Sequence, residues 1–167
     1  MGLEGGADTT RMSDILERQK QANIRDGAPS ADQRIEWLDR CIDLLLRYQT
    51  RIEETLAEDF GHRSRDASRF TDVASSIGAL KHAKGHLRKW MRPEKRKVEF
   101  PLGLLGSKAE VRFQPKGVVG VVSPWNFPVN LTFTPLAGIF AAGNRAMIKP
   151  SEFTEATSDL MKTMFAE

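Results

Sequence analysis

Asn126 is the residue whose type and setting point most directly to chemistry. It stands in SPWNFP, residues 123–128, between Trp125 and Phe127, with Pro124 and Pro128 outside them. Each proline fixes its own φ and biases the residue before it towards extended backbone. The Asn126 amide is therefore carried on a stiff loop and can donate to an oxyanion developing on a substrate. Loop asparagines also bond their own backbone, and that use of Asn126 stays open. Lys149 and Glu152, in KPSE at 149–152, form a second candidate set. An acidic residue near the end of the second strand of a nucleotide-binding sheet bonds ribose hydroxyls; the alternative is an ordinary exposed pair at a strand-to-helix corner. Cys41, the single cysteine, excludes an internal disulfide and any cysteine-rich metal site. Nothing near it in the sequence would lower its pKa, so packing is its expected role. No metal-ligand set is expected.

The elements that must position these residues change period near Pro93. Before it, the chain reads as helices. Residues 11–25 make a short amphipathic helix with Met12, Ile15, Leu16 and Ala22 towards one side, punctuated by Gly27 and Pro29. Ser30 and Gln33 have capping-box spacing. Ile35, Leu38, Ile42, Leu45, Leu46, Ile52 and Leu56 then recur at helical intervals. Thr50 and Glu53 offer a second capping box, so a break is expected near Gln49, and Gly61 is a natural stop. Phe70, Val73, Ile77, Leu80 and Leu87 mark a third helix ended by Pro93. After it, Val98 and Phe100, then Val111 and Phe113, alternate with polar residues as in an antiparallel strand pair around the turn PLGLLGS. VVGVV, 118–122, suits a strand buried on both faces. A helix over 129–142 follows, stopped by Gly143 and Asn144, with Pro135 predicting a kink or a start near Thr134. RAMIK, 145–149, is a second buried strand, and Thr154 is a plausible N-cap for a last helix.

This order is β–α–β–α, which implies an α/β fold with parallel strands and a right-handed crossover. Ligands of such sheets sit beyond the carboxyl ends of the strands, where SPWNFP and KPSE lie. The expected organisation is an N-terminal helical part over 1–96, a projecting strand pair over 97–114, and the start of a Rossmann-like core over 115–167. Gly117 and Gly120 do not form G-x-G-x-x-G, so nucleotide binding does not follow from the residues alone; βαβ units serve many ligands.

Composition adds bounds. The 167 residues carry a net charge of +3. Residues 81–97 concentrate eight Lys or Arg against one Glu, a run that can meet phosphates but more often is a solvated helix end. Trp90 is the only aromatic there, which argues against nucleic acid as partner. No secretory leader is visible and no apolar run approaches the roughly 20 residues of a membrane span. A cytoplasmic location without membrane attachment is expected.

Residues 115–152, PKGVVGVVSPWNFPVNLTFTPLAGIFAAGNRAMIKPSE, closely resemble the aldehyde dehydrogenase superfamily, with PWNFP and AAGN…KPSE jointly specific at this separation. G-x-PS before Arg34, DFGHRS at 59–64 and KWMRP at 89–93 resemble its coniferyl-aldehyde dehydrogenase branch. The resemblance implies that Asn126 shares the oxyanion of a thiohemiacetal with a backbone N–H. It implies that Lys149 and Glu152 contact the adenosine ribose of NAD, with NADP as the alternative. Trp125 and the backbone at Val122 and Ser123 match positions lining the cofactor cleft, and the strands within 97–114 match an arm joining subunits into a homo-oligomer. It also implies an attacking cysteine and a glutamate base, neither of which has a counterpart here; Cys41 lies on the wrong element. The expectation is a truncated N-terminal portion, ending mid-helix in KTMFAE, of an enzyme oxidising an aldehyde to its acid. The alternative of another class is a structural or interaction module with a vestigial cleft.

Overall fold

The capping box at Ser30 is formed. Its hydroxyl accepts the Gln33 N–H at 3.2 Å, and the Gln33 side-chain oxygen accepts the Ser30 N–H at 2.8 Å. It opens α2 (Ala31–Arg47), which follows α1 (Gly5–Asp26). These elements belong to a computed structural model that describes the backbone of residues 5–167 and the side chains from residue 10 onward. The helical stripe breaks at Tyr48, and α3 runs from Gln49 to Phe60. The Thr50–Glu53 capping box is not made. Glu53 is instead buried, taking Gln49 and the fork of Arg69 at 2.7 and 3.1 Å. That guanidinium holds the Glu53 carboxyl below its usual range despite burial. Gly61, at φ 77°, ends α3 as its lack of a Cβ allows.

The next helical run contains a feature that periodicity does not announce. α4 (Arg65–Ser68) passes through a π-helical turn, Arg69–Ala74, into α5 (Ser75–Trp90). A π turn adds a residue per turn and shifts the phase of the apolar stripe. Val73, Leu80 and Leu87 are buried, whereas Phe70, expected on the same stripe, is 76% exposed. The same turn carries Asp72 into the interior, where it is fully buried.

The antiparallel pair forms with a shifted first strand. β1 is Glu94–Arg96 and β2 is Ala109–Val111, paired Glu94 with Val111 and Arg96 with Ala109. Val98 and Phe100 fall in the connecting loop, because pairing starts directly behind Pro93. The loop exposes Phe100, Leu104 and Leu105, and Phe113 is exposed beyond β2. The parallel unit matches its expected bounds: β3 (Val118–Val122), α6 (Asn130–Ala141), β4 (Arg145–Lys149) and α7 (Glu155–Met164), with Val118 opposite Arg145 and Val122 opposite Lys149. Burial on both faces is not found. Only Val121 is buried in β3, and Val122 is 79% exposed, since among the described residues α1 and α6 are the helices that chiefly pack on this two-stranded sheet and neither covers Val122. Pro135 lies inside α6, which begins at Asn130 rather than near Thr134. Pro135 is the sixth residue of α6, past its first turn, so the helix continues without the one internal bond its missing N–H would have made to the Leu131 carbonyl. α7 closes at Met164, with Phe165 as its C-cap, so the chain does not end within a helix.

One core joins these parts. Leu38, Leu45, Ile52, Leu56, Leu80, Leu87, Phe133 and Met164 are all fully buried and mutually packed. Each such side chain contributes about 1.5–3 kcal/mol of burial. Trp37 meets Phe140 edge-on at 6.1 Å, and Phe133 stacks on Phe165 at 5.2 Å, tying α6 to α2 and to the end of α7. Among the described residues no helix is long and apolar enough to cross a membrane.

Each sheet has two strands, so every strand keeps one unpaired edge among the described residues. Beside β4 a groove of about 700 Å³ is lined by Trp37, Phe140, Ala146, Ile148, Met164 and Phe165. Open edges template pairing between chains, and uncovered apolar surface promotes association. We therefore expect this 167-residue chain, expressed alone, to self-associate or unfold with low cooperativity. Light scattering coupled to size exclusion, with a urea melt, tests this; a monodisperse monomer with a steep transition would refute it.

Candidate functional site

The two candidate loops leave the sheet side by side. Ser123 N–H donates to the Lys149 carbonyl at 3.0 Å, extending the β3–β4 ladder to the point where both chains turn away. At the opposite end the register is set by Asn144. Its buried side-chain oxygen accepts the N–H groups of Lys116 and Gly117 at 2.6 and 3.0 Å, pinning the entry of β3 to that of β4. The preceding Gly143 has φ 78°, and a Cβ there would lie 2.7 Å from the Arg34 guanidinium. Only glycine fits both constraints. Arg34 itself is buried and donates to the Pro29 and Ala141 carbonyls at 3.0 Å each. A cation thus meets the carbonyl end of α6.

The loop Pro124–Pro128 is held from four directions. Ser123 turns its hydroxyl inward to Thr132 at 2.7 Å, and Thr132 donates to the Pro128 carbonyl at 2.7 Å. Asp72 accepts the N–H groups of Val129 and Asn130 at 3.2 Å each, closing the N-terminus of α6 with a carboxylate. The Asn130 side chain donates to the Thr71 carbonyl at 2.6 Å. Arg63 donates to the Asn126 carbonyl at 3.0 Å, to Asp72 at 2.7 Å and to Thr71 Oγ1 at 3.0 Å. Its guanidinium lies over the rings of Phe60 at 4.9 Å and Phe127 at 5.0 Å, and Phe60 touches Trp125 with centroids 6.3 Å apart. Burial pushes the Asp72 carboxyl above its ordinary range, while the Asn130 N–H, Arg63, Thr71 and the Val129 N–H pull it back.

This settles the environment of Asn126. Its carbonyl is bound and the residue is exposed, so the amide is carried on a constrained, solvent-facing backbone. Trp125 is half-exposed beside it, Val122 projects from the strand end, and Ser123 is buried. On the second loop, Lys149 Nζ meets Glu152 Oε2 at 2.5 Å, with both side chains exposed. The ion pair holds Glu152 below the usual carboxylate range. Ser151 is buried, accepting the Phe153 N–H at 3.2 Å and the Ser158 hydroxyl at its carbonyl. Thr154 occupies the N-cap position of α7 without a side-chain cap. Asp59 supplies it from α3, taking the Ala156 and Thr157 N–H groups at 3.0 and 2.9 Å.

Asp59, Arg63 and Asp72 are the residues that sequence reasoning missed as part of the site. DFGHRS was visible as a pattern, but nothing local shows that its two ends reach different loops of the sheet. The basic run over 81–97 is a solvated face in part neutralised by Lys84–Asp39 at 2.6 Å and by the pairs Arg88–Asp32 and Arg96–Glu94.

A parallel β–α–β–α unit with helices leading into it, and with its polar groups gathered at the strand ends, is the architecture of solved aldehyde dehydrogenases. A substrate-bound AldH of Staphylococcus aureus superposes with a TM-score of 0.83 at 27% identity, over 92% of this chain and 33% of that one. The chain belongs to the aldehyde dehydrogenase family, whose model matches residues 7–167. It is 64% identical, over its whole length, to a probable coniferyl aldehyde dehydrogenase of Caulobacter vibrioides, covering 35% of that protein. It is 46% identical over 99% of its length to a coniferyl aldehyde dehydrogenase of a Pseudomonas species, covering 34%. The chain therefore spans about a third of the length of the curated relatives it matches.

Cys41 is buried in the core and its thiol is pushed up to about 12 by desolvation. At neutral pH it is protonated and enclosed, with neither the access nor the charge of a nucleophile. In folded protein it should react with a thiol reagent at least tenfold more slowly than in 6 M guanidinium. Equal rates would show that the core opens freely around α2.

Proposed function

We propose that this chain is the N-terminal part of an NAD(P)-dependent aldehyde dehydrogenase that oxidises an aromatic, coniferaldehyde-like aldehyde to its acid. The observation that carries the reading is Asn126, held by its own carbonyl on a braced loop at the carboxyl end of β3. An amide in that setting donates to an oxyanion without reorganising when the charge appears. The nucleophile that creates the oxyanion and the base that activates water have no counterpart among these residues, and Cys41 is enclosed. The chain alone is therefore inactive. Incubation with coniferaldehyde or simple aldehydes and either cofactor should give no NADH or NADPH, and turnover abolished by Cys41→Ser would overturn this.

In the complete enzyme, Asn126→Ala should slow acylation by on the order of 10²–10³, or about 2.7–4 kcal/mol of transition-state stabilisation, with cofactor affinity nearly unchanged. Single-turnover hydride transfer measures this, and an unchanged rate refutes the assigned role.

The cofactor reading rests on the chemistry of the second loop. Glu152 is exposed and kept ionised by Lys149, so it is an acceptor suited to a ribose diol. Lys149 and Glu152 would hold the adenosine ribose, and Val122, Trp125 and the Ser123 backbone would line the cleft. The bound nicotinamide supplies the hydride acceptor. A carboxylate repels a 2′-phosphate whereas the Lys149 ammonium attracts it, so NAD is preferred only moderately. Glu152→Gln should shift the ratio of kcat/KM towards NADP, and an unmoved ratio would place Glu152 away from the ribose. The strand pair β1–β2 with its connecting loop, where Phe100, Leu104 and Leu105 are exposed, and Phe113 just beyond it, are proposed as the arm between subunits. A cytoplasmic location suits the reduced, buried Cys41.

A further inference from the structure

We propose that Arg63 is a positioning residue for Asn126, setting the oxyanion donor through the loop backbone without touching substrate. The inference rests on the oxyanion reading of Asn126 and adds what makes that donor effective. A donor stabilises a developing charge only if it already points at the place where the charge will sit, and a displacement of about 1 Å can cost on the order of 10² in rate. Asn126 lies on an exposed loop, where backbone torsions are free unless another element fixes them. Pro124 and Pro128 restrict the flanking residues but leave the Asn126 ψ angle, which decides where its side chain is carried relative to the following peptide.

Arg63 fixes that peptide. One nitrogen of its fork holds the Asn126 carbonyl at 3.0 Å while the other holds buried Asp72 at 2.7 Å. The other Asp72 oxygen holds the N–H groups of Val129 and Asn130. The middle of the loop and its exit into α6 are thus referred to one carboxylate. The guanidinium plane packs on Phe60 and Phe127 and its side chain is 13% exposed, so it cannot swing out without losing contacts on both sides. A lysine in its place presents a single nitrogen and cannot form the fork that spans a carboxylate and a carbonyl. The Arg63 bond is made to the backbone of Asn126, which leaves the side-chain amide available for the oxyanion.

The test uses the complete dehydrogenase carrying this segment. Arg63→Ala should slow single-turnover hydride transfer by about 10- to 100-fold, with the cofactor dissociation constant within about twofold of wild type. Asn126→Ala should be slowed further, and the double variant should be no slower than Asn126→Ala alone, because a residue that acts only through another has no effect once that one is gone. Arg63→Lys keeps a cation beside Asp72, so it carries the test if Arg63→Ala does not fold. It should retain nearly the wild-type melting temperature and lose about tenfold in hydride transfer. Full wild-type rate in Arg63→Lys, rate losses that multiply in the double variant, or a loss of cofactor affinity equal to the loss of rate would each overturn the inference alone. Wild-type rate in Asn126→Ala would overturn the oxyanion reading and this inference with it.

Discussion

The carboxylate of Asp72 is the constraint on which the arrangement depends. It is fully buried, and a buried carboxylate is tolerated only when its charge and lone pairs are met. Here they are met by the first N–H groups of α6 on one oxygen and by Arg63 and Thr71 on the other. Breaking such a pair by removing one partner costs about 3–5 kcal/mol, because the remaining charge is stranded. The same set of bonds, with the Asn130 side chain on the Thr71 carbonyl, also holds the α4–α5 helical run, the loop carrying Asn126 and the start of α6 to one point. Stability of that corner and placement of the loop are therefore one property.

The π-helical turn explains how an aspartate comes to be there. In an uninterrupted α-helix, the phase that buries Val73, Leu80 and Leu87 would leave no extra residue to face α6. The inserted residue per turn moves Phe70 into solvent and Asp72 and the Thr71 carbonyl towards the α6 N-terminus. π insertions recur at functional sites, and here the local cost of widened hydrogen bonding is offset by capping another helix.

The second loop follows the same logic with different residues. α7 begins at a threonine that does not cap it, and Asp59 reaches across from the end of α3 to take two of its free N–H groups. Four residues further on, Arg63 serves the first loop. One short turn, Asp59 to Arg63 with Gly61 at φ 77° between them, thus registers both strand-end loops against each other. The other end of the unit is fixed by Asn144 and by the close fit of Gly143 to Arg34. That leaves the strands no freedom to slip, since a one-residue shift would exchange their faces.

Much was decided locally and could be read in the chain. The capping box at Ser30, the break near Gln49, the stop at Gly61, the bounds of both parallel strands and the order β–α–β–α all follow from side-chain chemistry within a few residues. So did the family, because PWNFP and KPSE stand at the right separation. The placement of Asn126, Lys149 and Glu152 at the strand ends was legible from the strand–loop–helix order. What needed the tertiary structure was everything that depends on a partner far along the chain. Thr154 looks like an N-cap and Thr50 like a capping box, yet Asp59 and Arg69 take the groups they would have served or met. VVGVV looks buried on both faces, but burial belongs to whatever packs on a strand, and α1 and α6 leave Val122 open. Phe70 looks like core until the π turn rotates it away. Arg63 and Asp72 are nine residues apart, and although Arg63 stands in DFGHRS, nothing in that motif shows what either residue holds. Their meaning comes from Asn126 and Val129, more than fifty residues later, because a hydrogen bond is specified by where two groups meet in space and sequence encodes only one of them at a time.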